Sequence, residues 1–436
     1  MMPRTNRGHS HAYPESYYVA SANPRCEQPQ LSESLEVDVC VIGGGFSGIN
    51  TAIELAQKGF GVALLEAKRI GWGASGRNGG ELIRGIGHDL AQFSNEIGRD
   101  GVRAIQQMGL EAVELVKRRI ADNDIDCNLR LGYCDLALKP RHMQALAREQ
   151  AALQDAGYLY KTELLDRSRV HGVIGSDTYQ GALLDMGSGH LHPLNLVLGE
   201  AGVAKALGVK LFEYSAAEKI IKGDRPRVIT AKGEVNCRYL VLAGNAYMGH
   251  RLEPHIGGKI LPAGSYLLAT APLSQAQCDA IIPHDMAFAD MRIDLDYFHL
   301  SQDRRLLFGG LCTYSGKDPK DIGAALRPRL ERVFPRLKGV RIDYQWGGMM
   351  GIGANRLPQI GRLPDAPNIL YAQAYSGHGL NATHMAARLI AEALTAQAER
   401  FDIFARVQHM TFPGGPALRS PMLALGMLYH KFRELF

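Results

Sequence analysis

The sequence lacks paired cysteines, long apolar runs and blocks of like charge. Its seven cysteines (Cys26, Cys40, Cys127, Cys134, Cys237, Cys278 and Cys312) are scattered, odd in number and never spaced C-x-x-C. That spacing excludes a disulfide framework and a zinc ribbon, and it predicts reduced thiols in a reducing compartment. No apolar stretch approaches the roughly 20 residues that a spanning helix needs. Residues 1–35 are polar, with no apolar signal core, so a cytoplasmic location is expected. The 49 basic and 44 acidic residues leave a net charge of only +5 and form no basic tract. Nucleic acid is therefore not an expected partner.

What is present is an ordinary globular composition, 46% hydrophobic over 436 residues. Two intimately joined domains fit that length, and such a chain buries enough surface to need neither metal nor disulfide. Residues 36–42 form a β-rich run, 47–58 read as a helix and 61–66 as a second strand, together one βαβ unit. Helices are predicted at 100–123, 141–157, 194–207 and 381–397. Residues 126–138 alternate like a hairpin, 209–243 hold three short strands, and 258–345 are strand-rich with a helix near 320–333.

The strand at 36–42 runs into Gly43-Gly44-Gly45-Phe46-Ser47-Gly48. This is G-x-G-x-x-G between a strand and a helix, the context it requires. Gly43 permits the turn, Gly45 lets a pyrophosphate approach the backbone, and Gly48 allows close helix–strand packing. The helix N-terminus then holds the phosphates. Glu66, with Ala67 after it, ends the second strand; its carboxylate suits both hydroxyls of an adenosine ribose and repels a 2′-phosphate. Two more small-residue stretches point to a long dinucleotide such as FAD. One is Gly71 to Gly80, containing Gly73, Ala74, Ser75, Arg77, Asn78, Gly79 and Gly80. The other is Tyr375-Ser376-Gly377-His378-Gly379 before Leu380 and its helix. A second helix N-terminus there can face the anionic edge of a reduced flavin. Ala243-Gly244 closes another strand near the cofactor. No second G-x-G-x-x-G unit exists to take up NAD(P)H, so electrons are expected to enter from an organic substrate.

Together these stretches resemble the D-amino-acid-oxidase-like superfamily of FAD enzymes, over about residues 36–395. Residues 15–23 (ESYYVASAN) and 189–196 (GHLHPLNL) resemble its polyamine branch more narrowly. The resemblance implies an α/β fold: a Rossmann-like, glutathione-reductase-type FAD-binding domain with an inserted, mainly antiparallel substrate domain. The expected division is an N-terminal extension at 1–35, an FAD-binding domain from 36–90, 160–250 and 346–398, a substrate domain from 91–159 and 251–345, and a C-terminal extension at 399–436. It also implies oxidation of a γ-glutamylated diamine such as γ-glutamylputrescine at its free amine carbon. The products would be an aldehyde, ammonia and, with oxygen as acceptor, hydrogen peroxide.

Covalently flavinylated relatives carry a cysteine where this chain reads Gln345-Trp346-Gly347-Gly348, so the FAD is expected to be non-covalent. Arg356 occupies the place from which some relatives hold a carboxylate, which keeps open an amino- or imino-acid substrate such as L-pipecolate, with oxygen or a quinone as acceptor. Hydride transfer to a flavin needs orientation and desolvation rather than a catalytic triad. The candidate catalytic residues are His378, Trp346, Tyr297 and Glu81, with Tyr266 and Phe298 as further aromatic candidates. His190 and His192 lack a third ligand, so no metal is expected. The apolar, partly basic segment 422–436 is expected to pack on the body, with contact to a membrane surface or a partner as the alternative.

Overall fold

The computed structural model describes residues 12–314 and 318–412. The expectations for residues 1–11 and 422–436 lie outside them. Two sheets organise the described chain. The first runs Gln359–Leu363, Ala366–Gln373, Glu234–Leu242, Ser34–Ile42, Val62–Leu65 and Lys210–Phe212, with the hairpin Lys219–Ile221 and Arg227–Ile229 on Glu234–Leu242. Its centre is parallel: Ser34–Ile42 pairs in parallel with both Glu234–Leu242 and Val62–Leu65. Such strands are buried on both faces and read as continuous apolar runs, as Val39, Cys40 and Val41 do at 0% exposure.

Helix Phe46–Ala56 follows the first strand and helix Gly379–Leu394 packs beside it. Both are rich in small residues and nearly fully buried. A short hydroxyl pair, Ser47 Oγ to Tyr375 Oη at 2.7 Å, ties the start of one to the approach of the other. Glu54, also buried, holds Arg119 of helix Ser94–Asp122 at 2.6 Å and Arg388 at 3.5 Å.

The second sheet orders Ile342–Ile352, Leu261–Thr270, Leu306–Thr313, Tyr297–Leu300, Ala287–Asp290, Arg130–Ala137, Gly181–His190 and Glu81–Leu82, with Thr162–Leu165 on Gly181–His190. It is antiparallel except where Ala287–Asp290 runs parallel to Arg130–Ala137. Two expectations need correction. The alternation at 126–138 is one strand, not a hairpin; its partner comes from Gly181–His190, more than 40 residues on. Thr162–Leu165 and Gly181–His190 pair into this antiparallel sheet, although the expected division puts 160–250 in the cofactor-binding domain. In the N-terminal segment, Tyr18 is 1% exposed and Leu31 is fully buried.

Phe298 stacks between Phe288 and Phe308 at 5.5 and 5.6 Å and meets Phe334 edge-on. Tyr266, fully buried, spends its hydroxyl on Thr313 and Asp318. Both are core residues of the second sheet. Replacing Phe298 by Ala should therefore remove about 3–5 kcal/mol of stability with the flavin site itself intact; chemical unfolding followed by tyrosine fluorescence checks this.

Candidate active site

The first glycine-rich turn sits where the sequence places it. Gly43 has φ +115°, and a Cβ there would lie 2.8 Å from the carbonyl oxygen of Ala243. Ala243-Gly244 is thus held against the turn, and the Ala243 N–H donates to Ile42. A Cβ on Gly48 would stand 1.8 Å from the Gly43 oxygen, which only glycine avoids. Helix Phe46–Ala56 begins at Gly45 with no side-chain cap and no acid in its first turn. Its partial positive end is therefore left for an anion. The N–H of Phe46 is met by Ser75 Oγ at 2.9 Å, which joins this turn to the next segment. Glu66 stands beside the turn, accepting from the N–H groups of Gly44 (2.7 Å) and Lys68 (2.8 Å). Burial raises its pKa, against the lowering by those bonds.

The segment 73–80 is braced rather than flexible. Asn78 closes it on itself, donating to the carbonyls of Ala74 and Ser75 and accepting from the Gly80 N–H at 2.8 Å. Arg77 reaches outward, to the Gly347 carbonyl at 3.0 Å and the Tyr247 hydroxyl at 2.9 Å, with its guanidinium over Trp72. Its side chain clamps loop to strand and is committed to protein partners. Trp346, 2% exposed, donates its indole N–H to the Arg77 carbonyl at 3.1 Å and packs edge-on to Tyr18. Its indole N–H thereby braces the segment. Tyr297 lies between two glycines: a Cβ would come within 2.6 Å of its ring from Gly79 and 2.1 Å from Gly309.

Three residues around this loop escaped the sequence reading. His299 brings Nε2 to 2.9 Å from the Gly79 carbonyl and Nδ1 to 2.9 Å from that of Leu300. Burial pushes its pKa down to about 3, so the ring is neutral and donates from one nitrogen only. Tyr18 turns its ring to Trp346 and His192, and its buried hydroxyl has no partner. Arg84, buried, pairs with Asp135 and Asp185. Nothing in local spacing marks these residues, because each is brought in by long-range pairing.

At the second entrance, Gly377 (φ +97°) and Gly379 flank His378, the N-terminal boundary residue of helix Gly379–Leu394. Ala374 and Ser376 hold φ of +61° and +53°, strain that concentrates at functional sites. His378 lies 4.4 Å from His88, ring centre to ring centre, and its buried Nδ1 has no partner. Burial, then Arg356, lowers its pKa to about 4; burial, then His378 and Arg356, lowers that of His88 to about 3. Both imidazoles are neutral near pH 7, so positive potential at this entrance comes from the helix end and from Arg356. Arg356 is exposed and sits 3.2 Å from the His88 ring nitrogens. Leu380 is buried in the first turn.

The uncapped helix, the glycine cradle and the orphaned His378 nitrogen fit a long dinucleotide such as FAD. Gly48→Ala should abolish flavin retention, read as the ratio of flavin to protein absorbance after purification. Gly202→Ala, where a Cβ meets nothing within 4 Å, should leave that ratio unchanged.

Comparison with known proteins agrees with this geometry. The model of a family described as DAO, FAD-dependent oxidoreductase, matches residues 38–393. The chain is 42% identical to the gamma-glutamylputrescine oxidoreductase of Escherichia coli (strain K12), over 96% of this chain and 98% of that one. It is 38% identical to a probable oxidoreductase, OrdL, of Haemophilus influenzae, covering 97% of each. The crystal structure of glycine oxidase from Geobacillus kaustophilus superposes with a TM-score of 0.70 at 20% identity, covering 86% of this chain and 99% of that one. L-proline dehydrogenase from P. horikoshii gives 0.69 at 22%, covering 87% and 97%; these two likenesses are of fold. The protein is an oxidoreductase of the DAO family of FAD-dependent enzymes.

Proposed function

We propose that this enzyme oxidises the primary amine of γ-glutamylputrescine, or of a closely related acylated diamine, in the cytoplasm with non-covalent FAD. The amine carbon gives up two electrons and a proton equivalent as hydride. Water hydrolyses the resulting imine to aldehyde and ammonia, and oxygen, if it is the acceptor, leaves as hydrogen peroxide. Bound FAD supplies the two-electron acceptor; the chain supplies orientation, exclusion of water and control of protons.

One observation carries the substrate assignment. The two segments that narrow the resemblance to the polyamine branch, 15–23 and 189–196, meet each other beside the flavin loop. Tyr18 packs on His192 at 4.9 Å, Ser21 Oγ lies 3.1 Å from His192 Nε2, and the Asn23 N–H donates to Asn195 at 2.9 Å. Around Gly80, a Cβ would meet the Leu191 carbonyl at 2.3 Å and the Tyr18 hydroxyl at 3.2 Å. These contacts support the reading that the two segments shape the wall of the site. The whole-length identity to the Escherichia coli enzyme supports the same reading.

Anaerobic mixing of the purified yellow protein with γ-glutamylputrescine should bleach the flavin faster than free putrescine or L-pipecolate does. Bleaching by L-pipecolate alone would overturn the reading and make Arg356 the residue to mutate. Acid precipitation should release all the flavin into the supernatant, because residues 345–348 offer no thiol for a covalent bond; yellow retained in the pellet would contradict non-covalent binding.

A further inference from the structure

Glu81 begins the short edge strand Glu81–Leu82, directly after the flavin loop and opposite His190. Its Oε1 is buried without a hydrogen-bond partner. Ile83, two residues on, packs on the cluster of Tyr133, Ala287 and Ala289, as does Tyr297. The Glu81 charge is felt by the phenols of Tyr18, Tyr133 and Tyr297. The Tyr18 hydroxyl, beside Gly80, is a second buried polar group without a partner.

Among the described residues, no ion pair joins Glu81 to a cation. Arg84, three residues on and buried, gives its two terminal nitrogens to three carboxylates, Asp135 at 2.8 Å, Glu149 at 2.5 Å and Asp185 at 2.9 Å, while its Nε is buried without a partner. Asp135 uses its other oxygen on the Tyr133 hydroxyl at 3.0 Å. Across the strand pair, His190 faces Asp285 at 3.4 Å, and Arg130 faces the same carboxylate at 3.5 Å. His299 turns its ring nitrogens to the backbone carbonyls of Leu300 and Gly79. One guanidinium thus meets three carboxylates, Asp185 buried, Asp135 half-buried and Glu149 exposed.

We propose that Glu81 is the subsite for the ammonium head of the substrate and that each ammonium bound there expels one proton to solvent. The inference rests on the amine-oxidising reading but not on the γ-glutamyl group. Burial, then the charge of Asp135, raises the Glu81 pKa well above its ordinary value, which favours the protonated carboxyl in the free site. An arriving ammonium ion and that carboxyl then hold one proton too many. One leaves, and the remaining proton is shared between the amine nitrogen and Glu81. Shared toward Glu81, it frees the nitrogen lone pair that hydride loss requires. The phenol rings favour the cationic form as it enters. Linkage fixes the sign: while Glu81 is protonated, amine affinity rises about tenfold per pH unit and levels off above its pKa.

The test uses the holoenzyme reduced with dithionite under anaerobic conditions, so that amines bind without being oxidised. Calorimetry in buffers of different ionisation enthalpy, with butylamine and with γ-glutamylputrescine, should show one proton released per amine bound. Glu81→Gln, of the same shape, should bind both amines without proton release and more than about tenfold more weakly, with the flavin content and spectrum unchanged. Asp135→Asn should move the levelling-off point about one pH unit lower. Binding of either amine to the wild-type enzyme with no proton exchanged would overturn the subsite, whatever the variants do. Proton-releasing binding of butylamine but not of γ-glutamylputrescine would support the subsite and sink the substrate assignment instead.

Discussion

The two glycine-rich entrances are useful only if both helices point at one ligand, and the packing of helix Phe46–Ala56 against Gly379–Leu394 fixes that. The residues that begin them are more than 330 positions apart, yet Ser47 and Tyr375 share a hydroxyl–hydroxyl bond at 2.7 Å. Small side chains let the helix axes approach, and buried polar groups then set the register. His384 reaches Glu200 at 2.5 Å, and Asn50 reaches the other Glu200 oxygen at 2.9 Å, so helix Pro193–Ala206 joins the pair. Leaving any of these groups unpaired in the interior would be expensive, so the network admits one alignment of the three helices. Two partial positive helix ends are thereby held at a fixed separation.

The segment 73–80 depends on that frame and on the second sheet. A run so rich in glycine would be mobile alone, since glycine loses the most conformational freedom on ordering. Here Ser75 holds the first helix, Arg77 and Trp346 hold the strand Ile342–Ile352, and Tyr297 and His299 press on Gly79. Nearly all of the bracing groups come from elements distant in sequence. The backbone of the segment is thus positioned by side chains that need not themselves touch a ligand, and its small residues leave room for one that does.

This division explains what was legible in the sequence. Gly43, Gly45, Gly48 and Glu66 act through local geometry, strand to turn to helix, and local geometry shows in spacing. So does the helix after His378. The strand Arg130–Ala137 alternates apolar and polar residues in the same way a hairpin would; its partner Gly181–His190 is set by register across an intervening helix and strand, which periodicity does not encode. Tyr266 and Phe298 were indistinguishable from Tyr297 as aromatic candidates, because one residue's shift along a strand sends the ring to the other face. Only Tyr297 meets the flavin loop. His299 and Arg84 carry no signal of their own, since a buried histidine or arginine is defined by its partners.

The charge pattern around Arg84 makes little sense as a device for stability. A buried ion pair barely recovers the desolvation of its two ions, and surplus carboxylates add repulsion. A chain selected for stability alone would do better with an apolar residue at Asp135. The surplus becomes intelligible if a cation arrives from outside. The carboxylates take the two terminal nitrogens of Arg84, and the Asp135 charge raises the proton affinity of Glu81 further. The site then stays closed to anions, holds its own proton when empty, and is relieved of electrostatic strain only by a positively charged guest. A substrate with an ammonium head supplies that charge and, by giving up a proton as it binds, reaches the neutral amine that oxidation requires.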